Sequence, residues 1–288
     1  MSLSAERIAI ANRAINSTFE QSSIVWQAIP HWDVGDPAQV SIRSDITFTL
    51  AMVAALPGGP LGGAAVALNA LNLPFLLTQA QATAPTPDPL LAAVVPRAAE
   101  LARQFDGAVL PLLVAPAVAA AAAGGAGAAW YPLLVAPNAG IAPTILPALI
   151  AGRQLLEDSG YRAPSCLIAS TNHFRDLVQW VGSNVATEGL LVAANANSMY
   201  RSTALNAPVP AGVPVLDRML MIGRRQVIEQ GAATTASAGE EGVDIAVSVP
   251  PSLEVVGDTV AGNVELAIRI RYATRFKDQR CIVVFHAI

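Results

Sequence analysis

Two hydrophobic periods divide the chain. From Leu91 to Val109 the apolar positions Leu91, Val94, Val95, Ala98, Leu101, Ala102, Phe105 and Val109 recur at three-and-four spacing, the stripe of an amphipathic helix. Asp88 suits its cap and Pro89 its first turn. Arg97, Glu100 and Arg103 fall on the other side at pair spacing. Pro96 interrupts the pattern: an interior proline loses an amide donor and crowds the preceding turn, at a cost of about 3 kcal/mol. The helix is therefore predicted over 89–110, with a kink or restart at Pro96. A shorter helix is predicted over 3–19, with Ile8, Ala11, Ile15 and Phe19 on one side. A third runs over 144–159 through Ile145, Leu146, Leu149, Ile150 and Leu156, and Gly160 ends it. A fourth starts at Ser170 or Thr171 and carries Phe174, Leu177, Val178 and Val181 to a stop at Gly182.

Period-two alternation appears elsewhere. Val40, Ile42, Ile46, Phe48, Leu50 and Met52 fall on one face of a strand, opposite Gln39, Ser41, Arg43, Asp45, Thr47 and Thr49. Pro57-Gly58-Gly59-Pro60-Leu61-Gly62-Gly63 then makes a tip, and the run from Ala64 to Leu73 returns. This predicts a long two-stranded arm. An isolated hairpin is marginal in water, so the arm needs a neighbouring subunit, with Phe48, Leu50, Met52, Leu61, Val66 and Leu68 as its contacts. Further strands are predicted over 165–169, 190–194, 218–222, 243–249 (ended by Pro250-Pro251), 264–272 and 281–285. Asp244, Ala246 and Ser248 are expected on the outer face of their strand, and the Glu240-Glu241 doublet in solvent. Residues 111–143 have no readable period and are expected to be loop and short apolar pieces between subunits.

Composition sharpens this picture. Hydrophobic residues make up 53% of the chain and charged residues 13%, about half the usual fraction of about 25%. That excess needs a membrane or large subunit interfaces. No Asp, Glu, Lys or Arg lies between Asp45 and Asp88 or between Asp106 and Arg153, but prolines and glycines cut both stretches. A spanning helix needs about 20 consecutive apolar residues, so oligomer interfaces are the better reading and membrane association the lesser alternative. A net charge of -4 offers no basic face for specific nucleic-acid recognition.

The search for chemistry is largely negative. Lys277 is the only lysine, and His31, His173 and His286 are scattered. No phosphate loop, dinucleotide loop, nucleophile elbow, HExxH or CxxC is present. Cys166 and Cys281 read as reduced, buried strand residues. No catalytic, metal or cofactor-binding set emerges, and the chain is expected not to be an enzyme.

The order of parts is similar to that of encapsulins and tailed-phage major capsid proteins, which share the Hong Kong 97-type shell fold. LNLPFLLTQAQ followed by LAAVVPRAAELARQFDGAVL resembles the family's approach to its spine helix, which ends at an acidic residue before a small loop. ILPALIAGRQLLEDSGYRAPSCLIASTNHFRDL resembles its peripheral helix–strand–helix run, and GVDIAVSVPPSLEVVGDTVAGNVELAIRIRYATRFKDQRCIVVF its closing sheet. The resemblance implies an α+β, Hong Kong 97-like capsid fold. Its parts would be an N-terminal helix and arm over 1–37, an extended hairpin loop over 38–73, a peripheral domain with the spine helix over 74–182 to which strands 243–288 return, and an axial domain with antiparallel sheet over 183–242. It implies a self-assembling shell protomer of an icosahedral, cytoplasmic encapsulin nanocompartment that encloses cargo protein, with no cofactor. Cargo contacts would come from Ile8, Ile15 and Phe19 of the first helix and Arg97 and Leu101 of the spine. Loops 203–212 and 231–242 would be pore edges. About 35 residues before the arm leave no room for a scaffolding segment, which favours encapsulin. The alternative is a phage or prophage capsid protein, found in the virion and enclosing DNA. Shells that crosslink themselves use an arm lysine; residues 40–75 contain none, so that chemistry is excluded.

Overall fold

A computed structural model describes residues 3–43, 65–122, 133–135, 142–171, 174, 187–206, 218–237 and 240–287. Ser4 caps the first helix, α1 (Ala5–Ser22), by accepting from the Arg7 amide. Ser23 separates it from the short α2 (Ile24–Ala28), which leads into β1 (His31–Asp33). The strands β2 (Ser41–Arg43) and β3 (Ala65–Ala67) pair antiparallel, Ile42 opposite Val66. They form the base of the arm; the rest of the arm lies outside the described residues. Next come β4 (Asn69–Leu77), the one-turn α3 (Gln79–Ala82) and the spine helix α4 (Asp88–Ala122). After β5 (Leu133–Val135) follow α5 (Ala142–Asp158), β6 (Ala163–Ala169), α6 (Thr187–Ala193), β7 (Ala196–Arg201) and β8 (Arg218–Arg224). The chain closes with β9 (Val243–Asp258), β10 (Val264–Phe276) and β11 (Ile282–Ala287).

Two larger sheets result. One has the order β1-β9-β10-β4, with β1 parallel to β9 and the other pairs antiparallel. The other is mixed, in the order β5-β11-β8-β6-β7. The alternation of β10 is as expected: Val264, Leu266, Ile268, Ile270 and Tyr272 are all buried. An aromatic cluster joins this sheet to the helices. Tyr272 meets Phe105 of the spine at 4.6 Å, Phe105 meets Phe19 of α1 at 5.5 Å, and Phe19 meets Trp26 of α2 at 5.2 Å.

The spine helix departs from expectation in length and continuity. It passes Pro96, Asp106-Gly107, Pro111 and Pro116 without ending and reaches Ala122, well into the stretch expected to be loop. The reason is where the missing bonds fall. The carbonyls that would have received amide bonds from Pro96, Pro111 and Pro116 belong to Ala92, Gly107 and Leu112, all exposed, where water can take them. Meanwhile Val94, Ala98, Leu101, Ala102, Phe105, Val109, Leu110, Leu113 and Val114 are buried along the opposite stripe. Burial of that stripe outweighs the lost bonds.

Strand β9 likewise runs through Pro250-Pro251. Arg269 pairs with Ser252 and Arg271 with Val249, so the two prolines stand opposite Ile270 alone, a two-against-one bulge. Beyond Val247 no β1 residue pairs with β9, which makes this an edge where a proline withholds no ladder bond. Of the stretch 190–194, residues 190–193 are helical rather than extended and Ala194 turns, and the strand begins at Ala196. Of the fourth predicted helix, only Thr171 and Phe174 are described as helical; Leu177, Val178, Val181 and Gly182 lie outside the described residues.

Candidate functional site

The strand pair at the base of the expected arm rests on a built footing. Ile42 and Leu68 are buried against Ala246 and Ala273, with Trp32, Val34 and Val66 packed around them. Beneath lies a fully buried carboxylate. Asp244 of β9 stands directly opposite Arg275 of β10, and the two make a bidentate pair: Nε to Oδ1 at 2.7 Å and Nη2 to Oδ2 at 2.6 Å. Lys277, two residues further on, brings Nζ to the same Oδ2 at 2.5 Å. The Arg275 guanidinium also lies over the Trp32 ring at 4.7 Å and donates from Nη1 to the Arg43 carbonyl at 3.3 Å. Arg271 donates to the Pro37 carbonyl at 3.3 Å. Arm base, closing sheet and the segment before the arm are thus tied to one charge cluster. Such a cluster fixes direction: a planar guanidinium held bidentately and stacked has one orientation.

Sequence reasoning missed this cluster. Asp244, Ala246 and Ser248, expected outside, are buried, because the arm base covers the face of β9 that the alternation assigned to solvent. The signal available was the lone lysine, close in sequence to an arginine and at the end of an apolar strand. Glu241 is a second correction. It is buried rather than solvated, and its carboxylate accepts from the Arg225 amide at 3.1 Å and the Gln226 amide at 3.0 Å. Burial pushes its carboxyl above the usual range, with those two amides opposing. The loop carrying it is therefore pinned at this point.

The residues proposed for cargo divide sharply. Ile15, Phe19 and Leu101 are completely buried in the core, so they have no surface to offer a cargo. Their apolar stripe is satisfied within the chain: α1 packs on the spine helix and on β9, where Asn12 accepts from the Leu253 amide at 2.7 Å. Ile8 is half-buried against the same core and Arg97 is exposed on the spine. Of the arm residues, Leu68 is buried in the footing of its own chain and Val66 packs beside it. Phe48, Leu50, Met52 and Leu61 lie outside the described residues. Of the loop 203–212, Thr203–Asn206 is a short 3-10 turn and the remainder is outside the described residues. Exposed apolar side chains remain at Val40, Leu76, Val192, Val227, Val256 and Val260.

Cys166 and Cys281 are both buried and free, and burial pushes both thiols up, away from reactivity. His31 stacks on Trp26 at 3.7 Å, and desolvation holds its imidazole down at about 4, so it is neutral at neutral pH. Among the described residues no three His, Cys, Asp or Glu side chains gather as a metal site, and no helix is long and apolar enough to cross a membrane.

This arrangement, a spine helix across a closing sheet, a second mixed sheet and a short antiparallel pair on a buried footing, is the Hong Kong 97-type shell fold. The virus-like particle protein of Pyrococcus furiosus superposes with a TM-score of 0.63 at 14% identity, covering 98% of each chain. A phage-related protein from Bordetella bronchiseptica RB50 gives 0.66 at 11% identity, over 95% of this chain and 96% of that one. The SrpI encapsulin of Synechococcus elongatus PCC 7942 gives 0.52 at 11% identity, over 89% of this chain and 84% of the other. No protein-family model matches the sequence, and no curated protein matches it.

Proposed function

We propose that the chain is the protomer of a self-assembling icosahedral shell and acts mechanically, without catalysis. The observation that carries this is the end-to-end correspondence with the virus-like particle protein, which covers 98% of each chain. The apolar excess of 53%, with a charged fraction of only 13%, supports it, since subunit interfaces would take up what a lone protomer leaves in water. Within that class, our reading is a cytoplasmic compartment that encloses a cargo protein. With Ile15, Phe19 and Leu101 committed to the core, cargo contact would rest on exposed spine residues around Arg97 and on Ile8 at the rim of α1.

The second reading is a phage or prophage capsid protein enclosing DNA, favoured by the likeness to the Bordetella phage-related protein. Electron microscopy of the purified protein tests the shell: closed particles of uniform diameter are expected, and small oligomers alone under varied salt and pH would overturn it. The contents of those particles separate the two readings. Co-purifying protein protected from protease supports a cargo compartment, whereas nuclease-protected DNA supports the capsid.

A further inference from the structure

Helix α2 has only five residues, yet buried charges of opposite sign meet its two ends. At the start stands Asp106 of the spine helix, buried. Its Oδ1 accepts from the Ser23 hydroxyl at 2.7 Å and the Val25 amide at 3.1 Å, and its Oδ2 from the Ile24 amide at 2.9 Å. At the other end stands Arg224, the last residue of β8 and fully buried. Its Nη2 donates to the Ala28 carbonyl at 2.9 Å, while Nη1 donates to the Ile228 carbonyl at 2.6 Å and to Ser198 Oγ at 3.2 Å. Tyr200 of β7 adds a third hold on the same end: its hydroxyl donates to the Gln27 carbonyl at 3.3 Å and accepts from the Gly231 amide at 2.7 Å.

The polarity matches the helix dipole, anion at the amide end and cation at the carbonyl end. A single turn of this length has no stability of its own, so its shape depends on these holds. The two charges also come from different layers of one continuous core. Asp106 lies on the helix that packs on the four-stranded sheet through Phe105 and Tyr272, whereas Arg224 belongs to the five-stranded sheet. Burying charges is costly, and an apolar filler would stabilise as well or better, so what remains for such groups to supply is a fixed geometry. Burial holds the Asp106 carboxyl up at about 6 despite its three donors, which shows how costly the site is.

We propose that α2 is a two-ended staple that fixes the five-stranded sheet against the spine-helix body of each protomer. Loosening either end loosens both. In a shell, that joint sets how a tile bends between neighbours, a consequence that rests on the shell reading; the joint itself does not.

Hydrogen exchange on the full chain tests it with Ser23→Ala, Asp106→Asn and Arg224→Met, the first being mild enough to keep the fold. Arg224→Met is expected to speed exchange of the Gln27 and Ile29 amides and also, across the helix, of Ile24 and Val25, each by about tenfold or more. Ser23→Ala and Asp106→Asn are expected to speed exchange at the far end, around Gly231 and Ser198–Tyr200, while β10 stays as protected as in the parent. Asp106→Asn with Arg224→Met should add less than the sum of the two. Acceleration confined to the mutated end, additive effects, or uniform acceleration of the whole chain would overturn the staple. Particle diameters by electron microscopy give the second readout: the variants should broaden the distribution. A parent that forms no closed particles would sink the shell reading alone, and the exchange data would still decide the staple.

Discussion

The footing of the arm makes a demanding prediction, because its central carboxylate is wholly inaccessible. Asp244 makes three contacts of 2.5–2.7 Å with two cations whose side chains are each only 6% exposed. Asp244→Asn keeps the shape and removes the charge, leaving Arg275 and Lys277 desolvated without this acceptor. Removing one partner of a buried ion pair typically costs about 3–5 kcal/mol, most of it the penalty of the charge left behind. That is a large part of the stability of an ordinary domain, about 5–15 kcal/mol. Lys277→Met should cost clearly less, because the bidentate Asp244–Arg275 pair survives it. Urea unfolding of the unassembled protomer, followed by circular dichroism, supplies the numbers; the Asp244→Asn midpoint should fall by about 1 M or more. Exchange should also accelerate at Ile42 and Val66, whose strand is held through the Arg43 carbonyl. A loss under about 1 kcal/mol, or a Lys277→Met variant as damaged as Asp244→Asn, would refute the argument that this cluster is a tightly coupled footing.

Three further outcomes follow from the geometry. A methyl at Gly242 would sit 2.6 Å from both Cys281 Cβ and Tyr161 Oη, so Gly242→Ala should destabilise by about 1–3 kcal/mol, read as a lowered thermal midpoint. His31 and Asp106 should pull the pH profile in opposite directions. The imidazole, held down from 6.5 to about 4, makes stability fall as pH drops through that window, by at most about 3 kcal/mol, while the carboxyl, raised from 3.8 to about 6, makes it rise as pH drops from about 6 to 4. Urea midpoints between pH 4 and 6.5 should therefore slope more steeply downward toward acid in Asp106→Asn than in the parent, and less steeply in His31→Asn. Finally, replacing residues 48–61 by a short Gly-Ser turn should leave the circular dichroism of the body intact and abolish closed particles under the electron microscope.

How much of this was legible in the sequence depended on how many faces of each element are covered. Strand β10 showed its period because alternate residues, Val264 to Tyr272, pack inward in an unbroken apolar series. α1 and the first turns of the spine were legible for the same reason, having one buried stripe and one wet side. The spine beyond Leu110 was not, because it is apolar all round and therefore carries no helical period to read. Leu190-Leu191-Val192 is too short a run to separate helix from strand by pattern; the helix wins by burying Leu190 and Ala194, one turn apart, and leaving Val192 exposed.

The charged residues were the least legible, and the reason is general. A charge reads as solvent-facing until its partner is known, and partners here come from tertiary register. Asp244 meets Arg275 only because three bulges in β9 shift the pairing, the last of them between Arg271 and Tyr272, so that these two residues fall opposite each other. Without that bulge at Ser248, Arg275 would stand opposite Ile245 rather than Asp244, and the cation that holds Arg43 would lose its bidentate carboxylate partner. The bulges therefore do more than accommodate two prolines. They set the register on which the arm's footing depends, which is why deleting the paired residue Ile245, between the bulge and the carboxylate, should speed exchange at Ile42 and Val66 more than any single surface substitution on the same strand.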